Sequence, residues 1–345
     1  MNKPLLFDLD FSELVQAVQD WNEPSFRADQ IWDGFYLQLY DSPLEISTLS
    51  KNVQSKLIEE YSFSALTPIS YIQSKDGKTT KTLFELEDGN RIETVLMEYK
   101  KRRTLCVSSQ AGCAMGCTFC ATGQMGFKRN LSPGEIILQI LHFAKQLKER
   151  NEVVTNIVMM GMGEPFHNYD NTLKAIEILN HPKGFNLGAR RFTISTSGIV
   201  PGIKKFTQEN SQINLAISLH ATDDKLRSSM MPVNTKYPIN ELVAACKEYT
   251  AVTHRRITFE WALIQKVNDS VEEAENLADL LKGMLCHVNV IPLNPTQGFS
   301  GQRSNRDRIY LFKKTLEDRG IPCTIRMRRG IEIQAGCGQL ATNTQ

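Results

Sequence analysis

Three of the eight cysteines in this 345-residue chain fall in one short run, CAMGCTFC, where Cys113, Cys117 and Cys120 have C-x3-C-x2-C spacing. Thiolates at such intervals bind metals. Zinc is the plain reading, because C-x2-C is a common half-site and Cys106 or Cys337 could complete a set of four. The x3 spacing of the first pair departs from the two matched pairs that zinc sites generally use. A [4Fe–4S] cluster is the sharper reading. It takes one ligand per iron, so three cysteines leave one iron open to a substrate or cofactor. Cys246, Cys286 and Cys323 sit in apolar or amphipathic stretches (LVAACKEY, CHVNVIPL, IPCTI) and read as buried small hydrophobes.

The segments that must position these cysteines show two kinds of pattern. Residues 1–68 have apolar residues at three- and four-residue spacing in FSELVQAVQDW, FRADQIWDGFYLQ and SKNVQSKLIEEY, which predicts a small helical accessory domain. Residues 69–98 alternate around Asp88-Gly89-Asn90 and read as a β-hairpin linker. From residue 99 to 333 strand and helix patterns alternate, with candidate strands at 104–109, 156–161, 191–197, 214–219, 257–264 and 287–293. Helical stretches follow at 133–149, 170–180, 199–209, 238–250, 271–284 and 305–319. Ser132-Pro133-Gly134-Glu135 combines an N-cap, a first-turn proline and a capping-box glutamate. Such repeats predict an α/β fold with a parallel sheet and right-handed crossovers, as an incomplete barrel or a doubly wound sheet. Residues 334–345 form a C-terminal loop carrying Cys337.

In parallel sheets ligand chemistry gathers at the C-terminal strand ends. The three-cysteine loop follows the first strand, and Glu164 in MMGMGEP follows the second. Ser195 and Ser197 end the third, Ser218 and His220 the fourth, and Asn294 the sixth. Taken singly, the serines are ordinary turn or cap residues, His220 a satisfied polar side chain and Glu164 a helix cap. Their common position argues for a shared site.

Composition sets the frame. The apolar share is 41% and the net charge +2, which permits a full core and carries no whole-chain nucleic-acid signal. The N-terminal MNKPLLFDLDFSELVQ has acidic residues and no sustained apolar core, and no stretch approaches membrane-span length. A cytoplasmic protein is expected, in which eight cysteines argue against a disulfide framework. Basic clusters at Lys100–Arg103, Lys128-Arg129, Arg190-Arg191, Lys204-Lys205, Arg255-Arg256 and Arg326–Arg329 read singly as solvated charge. Those at 128–129 and 326–329 flank the two chemical loops, where phosphates of a bound RNA would lie.

C-x3-C-x-F-C after the first strand resembles the radical S-adenosylmethionine (SAM) superfamily. The resemblance implies a partial (β/α)6 barrel and a [4Fe–4S] cluster held by Cys113, Cys117 and Cys120. It also implies SAM bound by Gly163, Glu164, Ser195, Ser218, Leu219, His220 and Asn294. With IETVLMEYKKRRTLCVSSQAGCAMGCTFCATGQMGF, STSGIVP, SLHA and AGCGQL, nearly the whole chain is similar to the RlmN/Cfr family of radical-SAM RNA adenine methyltransferases. That resemblance implies two SAM per turnover. Cys337 carries the methyl group, Cys106 resolves a transient protein–RNA crosslink by forming a disulfide, and Glu93 accepts the ring proton. Read from the residues alone, Glu93 is an exposed strand carboxylate and Cys106 a buried strand cysteine.

The implied partners are 23S rRNA in an assembling ribosome, tRNA, and an electron donor such as flavodoxin, with the protein a monomer. Pro165 in GMGEP resembles the type that methylates carbon 2 of adenosine 2503 in 23S rRNA and adenosine 37 in some tRNAs. The alternative type methylates carbon 8 of the same rRNA base and confers antibiotic resistance. Gly336 and Glu332 stand where many carbon-2 enzymes have Ala and Asp. A zinc-stabilised RNA-binding protein without catalysis is the rival from another class.

Overall fold

A computed structural model describes residues 3–342, so the first two residues of the helical segment and the last three of the C-terminal loop lie outside the described residues. The chain begins with α1 (Phe11–Asp20), α2 (Phe26–Asp33), which runs into a π-helical turn, and α3 (Lys51–Glu60). Asp10 closes a full capping box on α1, and Ser50 caps α3.

Next come β1 (Leu66–Gln73), β2 (Thr79–Leu86) and β3 (Arg91–Glu98), joined antiparallel. The hairpin expected around Asp88–Asn90 is present as β2–β3. Residues 66–73 add a strand that alternation alone did not reveal. β3 pairs antiparallel with β4 (Arg103–Cys106), so the meander extends the main sheet and is more than a linker.

β5 (Gln110–Gly112) and β6 (Phe127–Asn130) form a separate two-stranded ribbon enclosing the short α4 (Ala121–Gln124). Then α5 (Pro133–Lys148), β7 (Asn156–Met159), α6 (Tyr169–Asn180), β8 (Phe192–Thr196), α7 (Val200–Gln208) and β9 (Asn214–Ser218) alternate. They are followed by α8 (Asp224–Met230), α9 (Ile239–Thr253), β10 (Ile257–Leu263), α10 (Val271–Leu281), β11 (Cys286–Pro292), α11 (Arg306–Asp318) and β12 (Cys323–Ile325).

The main sheet runs β1-β2-β3-β4-β7-β8-β9-β10-β11-β12, parallel from β4 onward. Six of the parallel strands match those expected. The seventh, β12, has three residues and was read only as a buried cysteine context. Its brevity leaves too little alternation to detect.

α5 shows how sequence sets position. Ser132 and Glu135 form the capping box, and Ile136, Ile137, Ile140, Leu141, Phe143, Ala144 and Leu147 are buried. Amid them lies Gln139, also fully buried. It accepts from Thr94 Oγ1 (2.7 Å) and the Ser108 N–H (2.9 Å), and donates to Ser108 O (3.0 Å) and Glu135 O (3.1 Å). All its hydrogen-bonding capacity is used to fasten the segment after β4, where the cysteine loop starts. The N-terminal helices share one continuous apolar core with the barrel. Asp8 accepts from the Gly134 N–H at the start of α5 (2.7 Å), and Phe11 stacks on His181 with ring centroids 4.7 Å apart.

Candidate active site

The β5–β6 ribbon closes the base of the cysteine loop. Gly112 has φ +73°, and a side chain there would run into the Gly126 carbonyl, so glycine is required. Within the loop the Thr118 N–H donates to Met230 O (2.9 Å) and the Ala121 N–H to Gly338 O (2.7 Å). Cys113, Cys117 and Cys120 are free thiols lining a cavity of about 170 Å³ at the C-terminal ends of the parallel strands. Burial pushes the Cys113 thiol up to about 12 and moves Cys117 and Cys120 in the same direction. Deprotonation in such a place calls for positive charge, which a bound metal centre supplies.

Among the described residues no three His, Cys, Asp or Glu side chains converge to hold a single ion. Thiols set around a cavity suit a cluster with one ligand per iron better than one zinc. Ser197 lines the same cavity with its hydroxyl buried and unpartnered.

The opposite wall holds the strand-end residues. Glu164 is buried. Its Oε1 accepts from the Phe166 N–H (3.0 Å) and Oε2 from the Ser197 N–H (2.7 Å), while burial pushes its carboxyl up. The Glu164 N–H donates to Gln110 Oε1 (2.9 Å), and Gly163, at φ +105°, packs so tightly on Gln110 that an added Cβ would lie 2.6 Å from it. Ser195, Ser218, His220 and Asn294 also line the cavity.

His220 Nδ1 accepts from the Ala262 N–H (2.9 Å), and burial followed by the nearby Arg227 charge drives its pKa down to about 3. It is therefore a neutral imidazole with its proton on Nε2. Leu219 differs from the rest. Its side chain is fully buried and off the cavity wall. Its N–H donates to Glu260 O (3.2 Å) and its carbonyl accepts from Arg227 Nε and the Ala221 N–H, so the structure does not bring it to the cavity with the others.

Cys106 and Cys337 line a second chamber, which shares Cys120, Met160, Asn294, Arg326 and Cys337 with the first. Cys337 is held from outside: Asn294 Nδ2 donates to its carbonyl (3.1 Å), and Thr122 Oγ1 donates to Leu340 O (2.7 Å). Burial pushes Cys106 up to about 12, and the Arg326 guanidinium works against that shift.

Glu93 lines neither chamber. It is buried on β3, ion-paired to Lys81 (2.8 Å), and accepts the Ala341 N–H at 3.0 Å. The exposed carboxylate read from the residues alone is thus corrected. Glu93 lies two residues from Val95, the partner of Cys106 across β3–β4, and so shares a sheet face with that cysteine.

The basic clusters are less free than their sequence suggests. Arg129 is paired with Asp88 and Glu135. Arg329 packs on the Tyr99 ring (4.5 Å), and Arg328 Nε donates to Asn294 Oδ1 (3.2 Å). Arg326 faces the chambers, with Nη1 3.8 Å from Met160 Sδ and 3.9 Å from Glu260. Sequence reasoning missed Gln110, Gln139, Arg227, Glu260 and Lys81. Each acts through burial and partners distant in sequence, and no local motif announces them.

Residues 107–281 match the Radical SAM superfamily. Proteins described as probable dual-specificity RNA methyltransferase RlmN are similar along their whole length. That of Chloroflexus aurantiacus is 48% identical, covering 99% of this chain and 93% of the relative. That of Roseiflexus castenholzii is 43% identical, covering 98% and 96%. The crystal structure of a radical SAM methyltransferase from Sphaerobacter thermophilus superposes with a TM-score of 0.96 at 49% identity, covering 99% of this chain and 100% of that one. With three cysteines around a strand-end cavity and this similarity from end to end, the chain belongs to the RlmN family of the radical SAM superfamily.

Proposed function

We propose that this protein methylates carbon 2 of an adenine in RNA, with adenosine 2503 of 23S rRNA and adenosine 37 of tRNAs as its targets. The observation that carries the reading is that Cys106 and Cys337 share a chamber continuous with the cavity of Cys113, Cys117 and Cys120. The names of the relatives support an RNA substrate. Cys113, Cys117 and Cys120 are the residues to hold a [4Fe–4S] cluster, and Gly163, Glu164, Ser195, Ser218, His220 and Asn294 those to hold SAM. When bound, cluster and SAM together supply one-electron chemistry that activates unreactive C–H bonds.

Carbon 2 of adenine is electron-poor and does not displace a methyl group from a sulfonium, so the carbon must first be loaded on the protein. Cys337, as thiolate, takes the methyl of one SAM and leaves its thioether by-product. Activation of that methyl would remove one of its hydrogen atoms, drawing on the one-electron chemistry that the cluster and a second SAM supply. Once the resulting CH2 carbon is joined to the ring, the Glu93 carboxylate removes the ring proton and the adduct gives up one electron, returned to the cluster. The Cys106 thiolate then attacks the Cys337 sulfur, the S–CH2 bond breaks with its electron pair left on the carbon, and a proton taken up there completes the methyl group on adenine. The Cys106–Cys337 disulfide left behind needs a two-electron reductant before the next turnover. A cytoplasmic monomer supplied by a one-electron donor such as a flavodoxin fits this cycle.

The test is Cys106→Ala, isolated from cells. RNA should remain covalently attached through Cys337, and mass spectrometry of parent-enzyme product should match 2-methyladenosine. Absence of any crosslink would sink the covalent route, and 8-methyladenosine would replace the carbon-2 assignment.

A further inference from the structure

Lys81 is an unusual residue for its position. It lies inside β2 with its side chain 6% exposed, and its partner Glu93 is 1% exposed. Burying a lysine is costly unless the charge is paired and hydrogen-bonded. Here the pairing has a definite geometry. Lys81 lies opposite Val95 on β3, and Val95 lies opposite Cys106 on β4, so the three form one cross-strand row. Glu93, two residues from Val95, is the diagonal neighbour of both Lys81 and Cys106, at about 7–8 Å between backbones.

The pair also reaches the Cys337 loop from both sides. Lys81 Nζ donates to Gln334 O (3.4 Å), three residues before Cys337, and Glu93 Oε2 accepts from the Ala341 N–H (3.0 Å), four residues after it. Lys81 is the charged side chain that the structure places within ion-pair distance of Glu93, among the described residues. Leu83 lies opposite Glu93, the Ser108 hydroxyl donates to its carbonyl (2.7 Å), and the Cys106 thiol is its diagonal neighbour on β4.

We propose that Lys81 is a positioning residue for methyl transfer, orienting the Glu93 carboxylate and, with it, fastening both ends of the Cys337 loop. The inference rests on the reading of Glu93 as the proton acceptor. In the structure one Glu93 oxygen is engaged by Lys81 and the other by the tail. The oxygen that meets the substrate is the one Ala341 gives up, so tail release and base exposure are one event. Lys81 keeps its grip on the other oxygen and so fixes the direction in which the carboxylate points. Without Lys81 the carboxylate loses the partner of that oxygen and the loop loses its fastening at Gln334.

The experiment compares Lys81→Met, Lys81→Arg and Glu93→Gln with the parent enzyme, cluster-loaded, on an rRNA fragment containing the target adenosine. Methyl loading of Cys337 is read by protein mass spectrometry, and formation of methyladenosine by single-turnover kinetics. Lys81→Met should load Cys337 yet form product at least tenfold more slowly. Lys81→Arg, which keeps a cationic donor opposite Glu93, should recover most of the parent rate. Hydrogen exchange should show residues 334–342 opening faster in Lys81→Met while β9 and β10 stay protected, which separates a loosened tail from a misfolded protein.

A Lys81→Met variant that forms product at the parent rate would overturn the proposal. So would a Lys81→Arg variant as slow as Lys81→Met. If Glu93→Gln forms product at the parent rate, the reading of Glu93 itself fails. If Glu93→Gln is blocked while Lys81→Met behaves as the parent, only the Lys81 proposal fails.

Discussion

Arg227 on α8 gives the sharpest stability prediction. Its side chain is fully buried and meets no carboxylate. Nε donates to Leu219 O (3.0 Å), Nη1 to Asn234 Oδ1 (2.8 Å), and Nη2 to Ser197 O (2.6 Å) and Ser218 O (3.0 Å). The guanidinium thereby ties the ends of β8 and β9 together beneath the cavity. Burial lowers its pKa to about 10, so the charge is held at some cost.

Two effects compete in Arg227→Met. Removing a buried charge recovers desolvation energy, which often makes the replacement of a whole ion pair neutral or favourable. Here, however, the partners are neutral oxygens that stay behind. Leu219 O keeps the Ala221 N–H (2.9 Å), leaving Asn234, Ser197 and Ser218 as the acceptors that lose this donor. At about 1–3 kcal/mol for each orphaned group, the loss outweighs the recovered desolvation and predicts a net destabilisation of roughly 3 kcal/mol. Guanidinium unfolding followed by far-UV circular dichroism measures it. Arg227→Lys should fall between, because one ammonium cannot span four acceptors in fixed directions. A Met variant within about 0.5 kcal/mol of the parent, the range of an ordinary surface change, would refute the reasoning.

Two further perturbations follow from the site. His220 has a folded pKa near 3, below its ordinary value of 6.5. The unfolded chain therefore gains a proton that the native state refuses, and stability present above pH 6.5 is lost as pH falls from 6.5 towards 3. The difference in unfolding free energy between parent and His220→Gln should be flat above pH 7 and slope below it. A difference flat to pH 4 would contradict a buried neutral imidazole. Gly112→Ala forces a side chain against the Gly126 carbonyl at a positive φ, so the ribbon beneath the cysteine loop should open and iron content after anaerobic reconstitution should fall at least several-fold. Full iron loading in that variant would show that the loop does not depend on the ribbon.

The parts legible in the sequence were those with local signatures. Cys113, Cys117 and Cys120 announce themselves by spacing, and Ser132 and Glu135 mark the start of α5 within a residue. Strand ends could be located because the parallel strands are apolar runs with polar termini, which put Glu164, Ser195, Ser218, His220 and Asn294 on one cavity. What stayed hidden was polar burial. Lys81, Gln139 and Arg227 look like surface residues in composition, and only tertiary partners turn them inward. Arg326–Arg329 was read as a phosphate-facing patch for the same reason, although Arg326 faces the thiols and Arg329 an aromatic ring.

Glu93 shows why the boundary between accessory segment and catalytic barrel matters. Read as a hairpin linker, residues 69–98 have no reason to carry a reactive group. Because β3 pairs with β4, the same segment is a wall of the site, and a carboxylate on it shares a face with Cys106 one strand away. Under the role proposed for Cys337, the pairing also explains how a C-terminal loop can be a reliable carrier. Its tail is gripped by side chains of β2 and β3, its middle by Asn294 beyond β11 and by α4 beside the cysteines. A loop fastened at several points by single hydrogen bonds can be seated accurately and still be released, since a neutral contact contributes only about 0.5–1.5 kcal/mol and one to a charged group about 1.5–3 kcal/mol. In the proposed cycle a carrier takes a methyl group at one place and meets a substrate at another, which needs both properties, and the meander provides part of each.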